Sequence, residues 1–190
     1  KEKYGIESET ILYLGRIAEK KGINHLICAA SFLIKEFPHL KIIIAGPDCG
    51  ILWKLKKLAY ELKIEKNVIF TGPLSEREKY AAIAASSALI LPSSFEAQGL
   101  VLMEAQALGI PVIATKQGGI PCFIKDGVNG ILIEYGRPDH IVNALRKILR
   151  DQGLARKLGE AGKAFAKEHT WDKIAEKIFP IYEEAYIHNE

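Results

Sequence analysis

The chain has 190 residues, of which 48% are hydrophobic and 26% charged, and its formal net charge is +3. These values are typical of one globular domain with a hydrophobic core, and they exclude a disordered or low-complexity chain. A net charge this small gives no argument for binding nucleic acid or an anionic membrane.

The three cysteines, Cys28, Cys49 and Cys122, are odd in number and lack the C-x-x-C spacing of many metal and redox sites. We therefore expect reduced thiols, a cytoplasmic location and no metal site. Neither a long apolar run nor a signal peptide is evident, so we expect no membrane span. Because Lys1 stands where a complete chain would have Met, we expect the chain to be part of a longer polypeptide.

Short apolar runs ended by glycine or proline alternate with amphipathic stretches along most of the chain. The predicted strands are Thr10–Leu14, Lys41–Ala45, Asn67–Thr71, Ala88–Leu91, Val112–Ala114 and Gly130–Ile133. Helices are predicted between them, at residues 23–34, 51–62, 75–85 and 99–108. This alternation predicts an α/β fold with a Rossmann-like, doubly wound parallel sheet, which binds ligands at the carboxyl ends of its strands.

From Pro138 onward the sequence predicts helices alone, at residues 141–149, 154–167 and 171–186. No linker rich in glycine and serine interrupts the chain, so residues 1–190 are predicted to form a single domain. The last helix carries Trp171, Ile178 and Tyr182, which is unusually apolar for a terminal cap. It would pack either on its own domain or on another one, and the sequence leaves both alternatives open.

The stretch from Pro92 to Pro111 carries the clearest functional pattern. A buried strand ends at Pro92, Glu96 follows in the loop, and the next helix carries Glu104 and is predicted to end at Gly109. The two carboxylates thus flank a helix start, whose unpaired N–H groups suit hydroxylated and anionic ligands. Taken singly, either glutamate would be explained better as an ordinary solvated side chain.

The frame P-S-S-x-E-x-x-G-L-x-x-x-E-A-x-A-x-G-x-P-V resembles the E-x7-E signature of retaining glycosyltransferase family 4, the glycosyl transferases group 1. The match is long and gapless, and members of this family have the GT-B fold. The resemblance covers the donor-binding half of such an enzyme. It implies a nucleotide-diphosphate sugar as donor, metal-independent transfer of a hexosyl group with retention, and a sugar, glycan or lipid acceptor held by an N-terminal domain missing here. It also implies that the terminal helix, residues 171–187, crosses to that domain.

A second pattern follows the first predicted strand, where Gly15-Arg16 and Lys21-Gly22 are similar to the family's G-R-x4-K-G element. In the family, this Arg and Lys grip the diphosphate of the donor. The residues support that role by themselves, because two cations before a helix N-terminus suit an oxygen-rich leaving group. Since the chain has no D-x-D triplet to hold a metal, Arg16 and Lys21 would meet the charge of the departing diphosphate.

The resemblance also implies roles for single residues. Glu104 would accept hydrogen bonds from the ribose hydroxyls, and Glu96 would hold hydroxyls of the donor sugar. Arg16, Lys21 and Glu96 form the predicted catalytic set. The other predicted donor-binding positions would act largely through their backbone. Gly15 would let the chain approach the ligand, and Gln98, Gly99 and Leu100 would line the sugar and the diphosphate. The predicted base-contact positions are Ile69, Gly72 and Leu74.

Two turns and two departures complete the comparison with the family pattern. Gly118-Gly119 begin a match to its G-G-x-P turn, and this glycine pair would approach the donor sugar. Residues 126–130 match its D-G-x-N-G turn, which is better explained as a plain loop. Cys122 stands where the family usually has Glu, which puts the role of that carboxylate in doubt. Gln98 stands at an often aromatic position, as in some lipid-directed enzymes, although one residue is weak evidence for a lipid acceptor.

The main alternative is a non-catalytic nucleotide-binding or interaction module of GT-B type. The presence of both E-x7-E glutamates and of Arg16 and Lys21 argues against it. Membrane association is possible at the basic amphipathic segment around residues 53–57, but a solvated lysine face explains that segment better. NAD-dependent redox chemistry is disfavoured, since no G-x-G-x-x-G follows the first strand.

Overall fold

The computed structural model describes residues 9–187; residues 1–8 and 188–190 of the predicted domain lie outside the described residues. A parallel sheet of six strands lies at the centre, in the order β3-β2-β1-β4-β5-β6. The strands are β1 (Thr10–Leu14), β2 (Lys41–Ala45), β3 (Val68–Gly72), β4 (Ala88–Leu91), β5 (Val112–Thr115) and β6 (Ile131–Ile133). The fold is therefore the predicted Rossmann-like α/β fold.

Seven α-helices are described among these residues, and the first four connect consecutive strands from β1 to β5. They are α1 (Ile23–Glu36), α2 (Leu52–Glu61), α3 (Glu76–Ala85), α4 (Leu100–Ala107), α5 (Pro138–Arg150), α6 (Gln152–Lys167) and α7 (Trp171–Ile187). The central strands β1 and β4 are almost entirely buried. Near-continuous apolar runs are what strands covered by helices on both faces require.

Several boundaries differ from the predicted ones for local reasons. β3 begins at Val68 rather than Asn67, because the backbone N–H of Asn67 donates to the Ile64 carbonyl in the preceding turn. α5 begins at Pro138, three residues before the predicted start, and the fixed φ of proline suits the first turn of a helix. Two 3-10 turns, Glu19–Lys21 and Ile120–Cys122, were not predicted. Three-residue turns leave no periodic pattern to detect.

The strand order places a topological switch point between β1 and β4. The chain runs outward from β1 through β2 to β3, returns to β4, and then runs outward on the other side through β5 to β6. The connections from β1 and from β4 therefore continue to opposite sides of this point, and a crevice lies at the carboxyl ends of these two strands. Ligands of doubly wound folds bind in such crevices.

The terminal helix α7 exposes large apolar side chains. Trp171 is 80% exposed, Phe179 63% and Tyr182 72%. These side chains are exposed to solvent, and both alternatives for this helix stay open. Its destination stays a prediction.

The basic segment of α2 is a solvated face. Lys54 pairs with Glu19, and Lys57 pairs with Glu61 one turn away on the same helix. Within residues 9–187, no helix is both long enough and apolar enough to cross a membrane.

Candidate functional site

A cavity of about 380 Å³ opens at the switch point between β1 and β4. Its walls come from the end of β1, the loop after it, the end of β4 and the start of α4. The lining residues are Leu14, Gly15, Lys21, Leu91, Glu96, Ala97, Gln98, Gly99, Leu100 and Val101. The structure thus brings together six of the predicted site residues, which come from two segments far apart in the sequence.

Lys21 and Glu96 form an ion pair in this cavity. Nζ of Lys21 lies 2.5 Å from Oε1 of Glu96, and the two side chains are 12% and 13% exposed. The same oxygen accepts a hydrogen bond of 2.8 Å from the hydroxyl of Ser93. Among the described residues, Oε2 of Glu96 accepts no hydrogen bond. It is therefore available to a ligand hydroxyl.

The loops after β1 and β4 are held against each other by close backbone contacts. A Cβ at Gly22, which has φ of 66°, would lie 2.0 Å from the carbonyl oxygen of Pro92. Nearby, the backbone N–H and the hydroxyl of Ser94 both donate to the carbonyl oxygen of Lys20. The position of Lys21 relative to Glu96 thus follows from a backbone approach that excludes any side chain at residue 22.

The glycine pair 118–119 supports the loop that carries Glu96. A Cβ at Gly118, with φ of 60°, would lie 1.9 Å from the carbonyl oxygen of Glu96, and one at Gly119 would lie 2.0 Å from that of Ala97. The N–H of Gly119 donates to the Glu96 carbonyl at 2.9 Å. These glycines therefore approach the loop itself, a role that the sequence analysis did not predict.

The start of α4 supplies backbone donors to the cavity. Gly99 has φ of 62° and precedes the first helical residue, Leu100. The first intrahelical bond at this end runs from Leu102 to Gly99. The amides of Gly99, Leu100 and Val101 precede it and lie where a helix leaves its N–H groups unpaired. This positive end of the helix faces a cavity that contains a lysine, as an anion site requires.

Glu104 lies one turn beyond Leu100 on α4 and is paired with a residue that was not predicted. Nζ of Lys79, from α3, lies 2.9 Å from Oε1 of Glu104 and 3.0 Å from Oε2 of Glu76. Burial by itself would lower the pKa of Lys79, but hydrogen bonds to Glu104 and Glu76 raise it above its ordinary value. Lys79 therefore carries a positive charge at any physiological pH.

Arg16 is exposed and lies just after Gly15, outside the cavity lining. Its carbonyl oxygen accepts a hydrogen bond of 2.7 Å from the hydroxyl of Tyr13, which is fully buried. Burial and the nearby Glu96 carboxylate raise the pKa of Tyr13 above its ordinary range. The buried hydroxyl stays protonated and fixes the turn on which Arg16 stands. Tyr13, like Lys79, was missed because the sequence does not show which distant groups a side chain meets.

The three predicted base-contact positions lie apart from this cavity, on or just after β3 at the edge of the sheet. Gly72 ends β3, and its carbonyl oxygen accepts a hydrogen bond from the N–H of Gly46. Gly46 in turn lies against the carbonyl oxygen of Gly15, which lines the cavity. Leu74 follows and is partly buried. Ile69 lies near the amino end of β3, paired with Ile43, and packs against the core. A base contact at Ile69 therefore needs its backbone rather than its side chain.

Cys122 is exposed at the end of the short turn Ile120–Cys122, and all three cysteines are free thiols. In the part of the chain that the structure describes, no group of three or more His, Cys, Asp or Glu side chains could hold a metal ion. The polar groups of the cavity include a lysine, a carboxylate, the Gln98 side chain and backbone amides. They suit an anionic, hydroxylated ligand.

The family of the chain follows from comparison with known proteins. The model of the family "Glycosyl transferases group 1" matches residues 1–165. The chain belongs to this family. The glutamate frame and the glycine, arginine and lysine of the first turn lie within the matched residues.

The curated relatives of the chain are longer than the chain itself. A D-inositol 3-phosphate glycosyltransferase from Streptomyces bingchenggensis is 35% identical over 182 residues, which are 92% of this chain and 40% of the relative. The chain therefore spans less than half the length of this curated relative.

Solved structures of GT-B glycosyltransferases share the fold. A sucrose-phosphate synthase from Thermosynechococcus elongatus has a TM-score of 0.86 at 26% identity, over 96% of this chain and 47% of that one. The C-terminal domain of a glycosyl transferase group 1 family protein from Francisella tularensis has a TM-score of 0.79 at 28% identity, over 85% of both chains. This group 1 chain thus has the architecture of one GT-B half.

Proposed function

We propose that this group 1 domain binds a nucleotide-diphosphate sugar as the donor half of a family 4 enzyme, which transfers a hexosyl group with retention and without a metal. One observation carries the proposal: at the switch point of the sheet, Lys21, Glu96 and the amino end of α4 line one cavity. A cation, a carboxylate and free amides together match a ligand that has both phosphates and hydroxyls.

The diphosphate of the donor would lie between the amino end of α4 and the first turn. An ammonium group has three N–H donors, and one from Lys21 is used by Glu96. The others are available to phosphate oxygens. Arg16 supplies a guanidinium beside Gly15, and among the described residues it has no ion-pair partner. Fixed positive charge near a leaving nucleotide stabilises the transition state in which that charge develops.

The two glutamates divide the hydroxyls of the donor between them. Glu96, inside the cavity, would accept hydrogen bonds from the sugar, and Glu104 would accept them from the ribose. The amides of Gln98, Gly99 and Leu100 would approach the sugar and the diphosphate. Gly72, Leu74 and the backbone of Ile69 would meet the base at the edge of the sheet.

The acceptor would be held by a second domain, because the relative named above is longer than the 40% of it that this chain covers. The exposed apolar side chains of α7 support a crossing to that domain. The relative is named for action on D-inositol 3-phosphate, and an acceptor of that kind, or another sugar, glycan or lipid, fits the proposal. Free cysteines support a cytoplasmic location.

A thermal-shift titration with UDP, GDP and ADP tests donor binding and identifies the base. A ligand at a hundred times its dissociation constant adds about 2.7 kcal/mol to the free energy of unfolding. One nucleotide should raise the melting temperature of the wild type by several degrees and that of Glu104→Ala far less. Glu61→Ala, which removes an exposed glutamate that is also paired with a lysine, is the matched control and should respond like the wild type. If none of the three nucleotides stabilises the wild type, donor binding is wrong.

A non-catalytic nucleotide-binding module is the second candidate, and transfer by the longer polypeptide separates it from an enzyme. We expect the isolated 190-residue chain to bind donor but to transfer almost no sugar in a single turnover, because a second domain would hold the acceptor. The longer polypeptide should transfer it. A longer polypeptide that binds donor and never transfers would favour the non-catalytic module.

A further inference from the structure

Lys79 is the charged residue nearest to Glu104, and the family frame gives it no role. It lies in the first turns of α3, and its side chain is only 17% exposed. Nζ contacts Oε1 of Glu104 and Oε2 of Glu76, and it lies 4.6 Å from the centre of the Tyr80 ring. Two carboxylates and an aromatic face thus hold the ammonium in place.

This contact fixes one oxygen of Glu104 and leaves the other available. Oε1 accepts the hydrogen bond from Lys79, and among the described residues Oε2 accepts none. A carboxylate held at one oxygen loses most of its freedom to rotate. Its second oxygen then accepts hydrogen bonds in a fixed direction, and little conformational entropy is lost when a ligand binds.

Lys79 also compensates the charge of Glu104. A carboxylate beside a bound diphosphate would repel it, and the ammonium 2.9 Å away reduces that repulsion. A plain structural ion pair would have little value here, because the Glu104 side chain is 29% exposed and such pairs add little stability. The ion pair between Lys79 and Glu104 is explained better by an effect of Lys79 on the binding of a ligand by Glu104.

We propose that Lys79 is a positioning residue that makes the donor site selective for ribonucleotides over 2′-deoxyribonucleotides, by aiming the free oxygen of Glu104 at the ribose hydroxyls. The inference rests on the proposed function, in which Glu104 meets the ribose. A hydroxyl that donates to a charged carboxylate contributes about tenfold or more in affinity. Lys79 would determine how much of this tenfold gain in affinity the ribose hydroxyls obtain from Glu104.

Calorimetric titration of the 190-residue chain with UDP, GDP and ADP, and with the 2′-deoxy form of each, tests this. For the nucleotide that binds, the wild type should prefer the ribose form by about tenfold. Lys79→Met should bring the ratio of the two dissociation constants to about one or two, chiefly through weaker binding of the ribose form. Lys54→Met, at an exposed lysine paired with Glu19, is the matched control and should keep the wild-type ratio.

The ratio separates positioning from a merely structural role. If Lys79→Met weakens the ribose and deoxyribose forms equally, Lys79 acts on stability or overall charge and the inference is wrong. If no nucleotide binds the wild type, the proposed function has failed instead. Should circular dichroism find Lys79→Met unfolded, Lys79→Ala takes its place, removes the same donor and must also lower the ratio; an unchanged ratio in that variant overturns the inference.

Discussion

Lys21 and Glu96 are 75 residues apart in the sequence, and their side chains meet at 2.5 Å above the carboxyl ends of β1 and β4. The contact joins two motifs that a family pattern treats separately, the glycine-arginine-lysine turn and the first glutamate of the E-x7-E frame. A largely buried ion pair at this point has consequences for stability as well as for binding.

Removal of the Lys21 charge should destabilise the domain, since it leaves the Glu96 carboxylate largely buried without a cation. We expect Lys21→Met to lower the free energy of unfolding by about 1–3 kcal/mol. Glu96→Gln in the same chain should recover part of this loss, because a neutral amide can still accept from Ser93. Urea denaturation of both single variants and the double variant measures the coupling. Strictly additive losses would contradict the ion pair.

Gly118 should tolerate no side chain, for a reason that goes beyond its positive φ. A Cβ there would lie 1.9 Å from the Glu96 carbonyl oxygen, whereas one at Gly127, with φ of 71°, would meet nothing within 4 Å. Gly127→Ala should therefore cost about 1 kcal/mol, the cost of a left-handed conformation alone. Gly118→Ala should cost about 1–3 kcal/mol more, since backbone must move. Thermal unfolding compares the two.

A shift of the Glu96 loop should accompany that loss of stability. Gly118→Ala is expected to bind nucleotide more weakly than Gly127→Ala, because the displaced loop carries Glu96 into the cavity. If both variants have equal stability and equal affinity, Gly118 does not support the loop.

The buried hydroxyl of Tyr13 should make stability depend on pH in the alkaline range. Its pKa in the folded chain is raised above the ordinary value of 10.0, chiefly by burial. Between pH 10 and the raised pKa of the folded chain, the unfolded chain has lost a proton that the folded chain keeps. The free energy of unfolding therefore falls as the pH rises above about 10. Tyr13→Phe removes this contribution. The difference in stability between Tyr13→Phe and the wild type, followed by urea denaturation, should therefore change in favour of the variant as the pH rises.

At neutral pH the same substitution should have the opposite effect. Tyr13→Phe leaves the ring in place but removes the donor to the Arg16 carbonyl, so the variant should be about 1 kcal/mol less stable than the wild type. A difference in stability that does not vary with pH would mean that Tyr13 titrates normally in the folded chain.

Much of the fold was predictable because buried parallel strands leave apolar runs ended by glycine or proline. β1, β2 and β4 have the predicted bounds, and β3 is shifted by one residue at each end. Gly22 and Gly109, both with positive φ, were predicted at their helix ends. These features depend on local sequence, which is why they could be predicted.

Contacts between distant segments could not be predicted in this way. Lys79 is one of several charged residues at the start of α3, and only the path of the chain between α3 and α4 brings it to Glu104. The close approach of Gly118 to the Glu96 carbonyl likewise depends on the path of the chain after β5. A local sequence pattern shows neither contact, so these supporting residues of the cavity could not be predicted from the sequence.

The location of the bound nucleotide tests the central claim most directly. In an amide NMR titration of the 190-residue chain with UDP, GDP and ADP, we expect one nucleotide to shift the resonances of Gly15 and Gly99, which line the cavity. Those of Gly127 and Gly136, in turns outside the cavity lining, should not move. Shifts centred instead on the cavity of about 350 Å³ beside Lys54 and Tyr135, or no shifts with any of the three nucleotides, would contradict a donor site at the switch point.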